Sequence, residues 1–118
     1  MPHEDSREYF IPLSDEDRLI LRHRTKSVPG GVAEIIEFAV IYDSSVEGEW
    51  KTIAQYDCDR SLGKKPHRHI IDWSGKRGKV NMGDHHDASA VFNEAKASIR
   101  RDFKKLKEQY IISRERYE

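Results

Sequence analysis

One change of rhythm constrains this chain more than any other feature. Between residues 18 and 73, apolar side chains recur at every second position in short runs, the period of a strand with one buried face. From Ala88 onward they recur every three to four residues, the period of a helix. The first run, 18–26, alternates Leu19 and Leu21 with Arg18, Ile20 and Arg22. It ends at Val28-Pro29-Gly30-Gly31, where proline presets one turn dihedral and glycine takes the positive φ that follows. Ser14-Asp15-Glu16-Asp17 has the chemistry of a helix cap, but the alternation after it favours a strand. Val32 to Tyr42, VAEIIEFAVIY, is β-branched and aromatic, with Ile36, Phe38, Val40 and Tyr42 on one face. Trp50–Asp57 and His67–Trp73 alternate again, and Ser74–Gly83, with three glycines, reads as a loop.

The helical stripe comprises Ala88, Val91, Phe92, Ala95, Ile99, Phe103, Leu106 and Tyr110, with Asp84 or Asp87 as N-cap. A helix from Ala88 to about Glu115 is roughly 28 residues and ~42 Å long. That exceeds the width of a small sheet, so its far end is expected to project or to hold a partner. The expectation is an α+β domain: an antiparallel four-stranded β-meander packed on one face by a long C-terminal helix. Residues 1–17 form an acidic N-terminal segment, mobile at its very end, with an apolar knot of Tyr9, Phe10, Ile11 and Leu13. Residues 18–118 form the single domain.

Composition bears on function through where the charge sits. The 118 residues carry 21 basic and 21 acidic side chains. Residues 1–50 hold five basic and eleven acidic groups, a net of −6, and residues 51–118 are +6. Within 60–79, Arg60, Lys64, Lys65, Arg68, Lys76, Arg77 and Lys79 face only Asp72, so a neutral total does not exclude a phosphate-attracting surface. A solvated, solubilising loop is the plainer account of the same run. No apolar run is long enough to cross a bilayer, the start of the chain lacks the pattern of a signal peptide, and one cysteine, Cys58, fits a reducing compartment. The expected location is cytoplasmic.

The histidines are the most informative polar residues. His67 and His69, two apart on a strand, share a face, and two imidazoles together can perform acid–base work near neutral pH. Asp57 ends the preceding strand and, in a hairpin, lies near them with Tyr56; it could orient an imidazole, or simply start a turn. Zn²⁺ needs three or four ligands, and Asp57, Cys58, His85 and His86 complete such a set only if folding gathers them. His85-His86 reads as a polar cap region, and His23 with Arg22 and Arg24 as a solvated basic row. Arg100, Lys104 and Lys107 share a helix face that either meets phosphate or is simply solvated. Asp57 and Asp59 flank Cys58 and disfavour a thiolate.

Tyr56-Asp57 followed by Pro66-His67-Arg68-His69 resembles the TumE-like toxin family, small toxin components of prokaryotic toxin–antitoxin pairs. The shared order is strands, a Tyr-Asp-Asn step, a Gly-containing loop, a His-Arg-His segment and an amphipathic helix; here Cys58 stands at the asparagine, and the loop is longer and more basic. The first half, LSDEDRLILRHRTK through EFAVIYDSSVEGEWKTIAQYD, is similar to a related group of small prokaryotic proteins. The resemblance implies a growth-inhibiting toxin with a cognate antitoxin as partner. The residues themselves suggest a metal-independent ribonuclease acting on RNA. His67 and His69 would be acid and base, with Asp57 and Tyr56 beside them, and Lys64, Lys65, Arg68, Arg60, Lys76 and Arg77 would hold phosphate. No cofactor or metal and no membrane are called for. A homodimer through the helix is a further expectation, and a non-catalytic nucleic-acid- or protein-binding module is the alternative.

Overall fold

The computed structural model describes residues 3–27 and 29–116. Met1 and Pro2, on which the expected mobile end falls, lie outside the described residues, as does Val28 of the predicted turn. Six strands follow one another: β1 (His3–Ser14), β2 (Asp17–Ser27), β3 (Glu34–Val46), β4 (Glu49–Asp59), β5 (Lys64–Asp72) and β6 (Gly75–Asn81). A 26-residue helix, α1 (Ala88–Ser113), comes last. The strands form one antiparallel sheet in the order β1-β2-β3-β4-β5-β6. The meander and the helix on one face are as expected, but the sheet has six strands, not four.

Both added strands lie at the edges. β1 arises within the acidic segment 1–17 and pairs with β2 from His3↔Ser27 to Ser14↔Asp17. Its apolar knot divides by alternation: Tyr9 and Ile11 stand opposite Leu21 and Leu19, while Phe10 stands opposite Ile20 on the other face. β6 replaces the predicted loop 74–83 and pairs with β5. An edge strand exposed on both faces needs no apolar alternation, and charge along it discourages pairing with other chains.

Leu19 and Leu21 of β2, Phe38, Val40 and Tyr42 of β3, and Ala54, Tyr56 and Cys58 of β4 bury against Ala88, Val91, Phe92, Ala95, Ile99 and Tyr110 of α1. The helix does not project. Phe92 meets Phe38, Phe103 meets Tyr42, Lys107 reaches the Ser45 carbonyl and Arg114 pairs with Glu47, so α1 runs along the strands rather than across them. At about 1.5 Å per residue it spans ~39 Å, comparable to the ~36–44 Å of strands of 11–13 residues. Its apolar stripe is covered by one face of its own sheet, as the two-layer expectation has it.

The β1–β2 corner is held by a buried polar cluster. The Asp17 carboxylate accepts from Tyr42 Oη (2.5 Å), Ser44 Oγ (2.7 Å) and Ser14 Oγ (2.5 Å). Before the helix, the Asp84 N–H donates to Asp87 Oδ2 and the Asp87 N–H to the Asp84 carbonyl, both at 2.9 Å, so the two predicted cap residues act together.

Candidate functional site

The face of the sheet away from α1 is the one free for ligands. It is concave: a depression of about 550 Å³ is lined from Ser6 and Glu8 of β1, through Arg22 and Arg24 of β2 and Glu37 and Ala39 of β3, to Asp57, His67, His69 and Lys79. Register explains the grouping. Asp57 stands opposite His67 and Gln55 opposite His69 across the β4–β5 hairpin, so all four side chains share one face.

His69 Nε2 lies 2.6 Å from Asp57 Oδ2, and His67 Nε2 lies 3.9 Å from the same oxygen. The two imidazole rings sit edge to face with centroids 4.9 Å apart. The Gln55 amide donates to Asp57 Oδ2 at 2.9 Å and restrains the carboxylate. His67 Nδ1 is 2.8 Å from the Lys65 carbonyl. A carbonyl only accepts, so Nδ1 carries the hydrogen and His67 Nε2 keeps its lone pair. By the same reasoning His69 donates Nε2–H to the carboxylate, which leaves Nδ1 as the nitrogen not engaged by Asp57. The three side chains are 11% (His67), 15% (His69) and 25% (Asp57) exposed, sheltered yet reachable from the depression.

Of the expected catalytic set, His67, His69 and Asp57 converge, whereas Tyr56 does not. Consecutive strand residues point to opposite faces, and Tyr56 lies in the core against α1, opposite Arg68. The expected phosphate ligands scatter. Lys64 lines the depression. Lys65 pairs with Asp84 at 3.2 Å, and Arg60 with Glu34 at 3.2 Å. Arg68 faces away from the histidines, and Lys76 and Arg77 lie on the β6 edge, where Arg77 pairs with Asp72 at 3.4 Å. In their place stand Lys79, Arg22 and Arg24. Lys79 is directly opposite His69, a pairing visible only once β6 is a strand. Arg22 pairs with Glu8 (3.3 Å) and Arg24 with Glu37 (3.1 Å), while Lys64 and Lys79 have no ion-pair partner among the described residues.

His23 corrects the solvated basic row. Its ring packs on Phe92 (5.3 Å) on the helix side, and burial, with Arg7 and Lys96 nearby, holds its pKa below the ordinary value. Cys58 also turns toward the core. Burial pushes its thiol up to about 11, with the Asp59 and Asp57 carboxylates acting in the same direction against Arg60, which disfavours the thiolate, and its side chain lies on the opposite face from the histidines. His86 groups instead with Asp84 and Asp87 at the start of the helical region, a separate and more exposed cluster. The helix cations Arg100, Lys104 and Lys107 are on the side of the sheet opposite the depression.

No helix among the described residues is long and apolar enough to cross a membrane. Neither the curated proteins nor the solved structures contain a match to this chain. Residues 1–116 match the family described as domain of unknown function DUF7718, and the chain belongs to that family.

Proposed function

We propose that this protein cleaves RNA by metal-independent general acid–base catalysis at the Asp57–His67–His69 group. The observation that carries the reading is the pair of differently tethered imidazoles, one on a carbonyl and one on a carboxylate, at the floor of a depression edged by Lys64 and Lys79. His67 Nε2 takes the proton of a ribose 2′-hydroxyl as its oxygen bonds to phosphorus. The P–O5′ bond breaks, and His69, acting from the imidazolium form with a hydrogen on each ring nitrogen, gives the leaving oxygen the proton of Nδ1 and ends neutral. Products are a 2′,3′-cyclic phosphate and a free 5′-hydroxyl. Asp57 orients His69, and the two lysines stabilise charge on the phosphorane. The biological setting we propose is the growth-inhibiting half of a toxin–antitoxin pair; its support is the sequence resemblance alone.

The test is cleavage of single-stranded RNA by the purified chain in EDTA. We expect His67→Ala and His69→Ala each to lower the rate by about 10²-fold or more, and a fully active double variant would end the reading. A second reading, binding without chemistry, is favoured by the acidic partners already held by Arg22 and Arg24, which leave a mixed-charge face suited to a protein. Under that reading RNA affinity is weak, and a partner protein is retained by both histidine variants.

A further inference from the structure

We propose that Asp57, His67 and His69 form a binding site for a divalent first-row metal ion, best suited to Zn²⁺, and that the ion switches the site off. The metal-site argument stands on the donor geometry; the inhibitory part rests on the acid–base reading above. One ligand atom from each residue falls within 4.8 Å of the others. Around a tetrahedral Zn²⁺ with bonds of ~2.0–2.1 Å, neighbouring donors lie about 3.3–3.4 Å apart. The two distances from Asp57 Oδ2, 2.6 Å to His69 Nε2 and 3.9 Å to His67 Nε2, bracket that value. The third pair, His67 with His69, lies within the same 4.8 Å, so side-chain adjustments of about an ångström would bring all three onto one ion.

The surroundings are those of a ligand set. The Lys65 carbonyl fixes His67 in the tautomer with its lone pair on Nε2, as partners of metal-bound histidines do. Gln55 holds the carboxylate from the side. The ion replaces the hydrogen between His69 Nε2 and Asp57, and the neutral ring then carries its hydrogen on Nδ1, exchanged through solvent. Three protein donors leave a fourth position open toward the depression. The exposed Asp84, His86 and Asp87 group also gathers three donors, but His86 there is 78% exposed and stands 3.4 Å from Asp87 Oδ1 at the surface. Coordination occupies the His67 Nε2 lone pair that the cleavage step needs, so a bound ion suppresses acid–base chemistry.

The test is a Zn²⁺ titration of the full chain in competition with a chromogenic chelator, with Co²⁺ absorption as a second readout. We expect one equivalent to bind, in a four-coordinate Co²⁺ spectrum, with affinity falling about 100-fold or more in His69→Ala and Asp57→Asn. His86→Ala should leave binding unchanged. Both informative variants keep the buried His67, so a folding failure of His67→Ala does not affect the test. Binding that is absent, that survives both variants, or that follows His86 overturns the site. RNA cleavage in EDTA that added Zn²⁺ suppresses supports the switch. Cleavage that needs Zn²⁺ overturns the switch and the metal-independent reading but not the site. Zinc binding without any cleavage overturns the acid–base reading and the switch, and leaves the site standing.

Discussion

Removing the Asp17 carboxylate tests what holds the first hairpin to the rest of the sheet. In Asp17→Ala, three hydroxyl donors lose a charged acceptor. Tyr42 and Ser44 are fully buried, and Ser44 keeps the Glu16 carbonyl at 3.1 Å, so the Tyr42 hydroxyl is the group left stranded. Hydrogen bonds to a charged group contribute about 1.5–3 kcal/mol each, and an orphaned buried donor costs about 1–3 kcal/mol. Relief of the carboxylate's own desolvation offsets part of this. The expected loss is about 3–4 kcal/mol, or about 12–16 °C in Tm for a domain of this size. Tyr42→Phe, which removes the donor instead of stranding it, should cost about 1 kcal/mol, and the double variant should lose at least ~1 kcal/mol less than the sum. The assay is urea unfolding followed by circular dichroism. Burial raises the Asp17 pKa, but the Ser14, Tyr42 and Ser44 hydroxyls and the charge of Lys107 outweigh it and hold the group below its ordinary 3.8. A depressed carboxylate contributes stability that is present above the unfolded value and is lost as pH falls through the folded one. The gap between wild type and Asp17→Ala should therefore narrow below about pH 3.8. A loss under 1 kcal/mol at pH 7, strict additivity in the double variant, or a gap that persists undiminished at pH 2 would refute the reasoning.

Three further outcomes are expected. Gly83 has φ +146°, and a Cβ built there would sit 2.9 Å from Asp87 Oδ2, so Gly83→Ala should cost about 1–3 kcal/mol in thermal or urea unfolding; a neutral result would mean the entry to α1 is slack. Cys58 is 1% exposed and its thiol is pushed up to about 11 by burial, so a thiol reagent at pH 7.5 should label it only as fast as the protein opens. Rapid labelling of the native state would contradict that placement. Ile99, fully buried in the middle of the helix–sheet contact, should cost about 2–5 kcal/mol as Ile99→Ala, read by the same unfolding assay, whereas a cost under 1 kcal/mol would mean α1 is loosely held.

The sequence revealed those parts of the fold whose side chains alternate between oil and water. β3 and α1 were legible because each buries one face. β1 and β6 were not. HEDSREYFIPLS and GKRGKVN lie at the sheet edges, where backbone pairing makes the strand with little apolar burial, Ile11 and Leu13 of β1 alone among them packing on the core. The site was legible to the same degree. Two histidines at period two and an aspartate across a short connection converge, as the hairpin requires. Tyr56 was misplaced by reading nearness along the chain as nearness in space, although adjacent strand residues face opposite ways. Lys79 could not be found from local sequence because its position depends on a strand whose own pattern is silent.

The linear order of the meander also carries a consequence for folding. Each strand pairs with its immediate neighbour in the chain, so the sheet assembles through short loop closures of low entropic cost, without waiting for distant segments. The cover for its apolar face, however, is α1, which follows all six strands. Until residues 88–113 dock, Leu19, Leu21, Phe38 and Val40 present a continuous adhesive surface to water. A chain cut before Ala88 would lack the cover for that face, and we expect it to aggregate where the full chain does not.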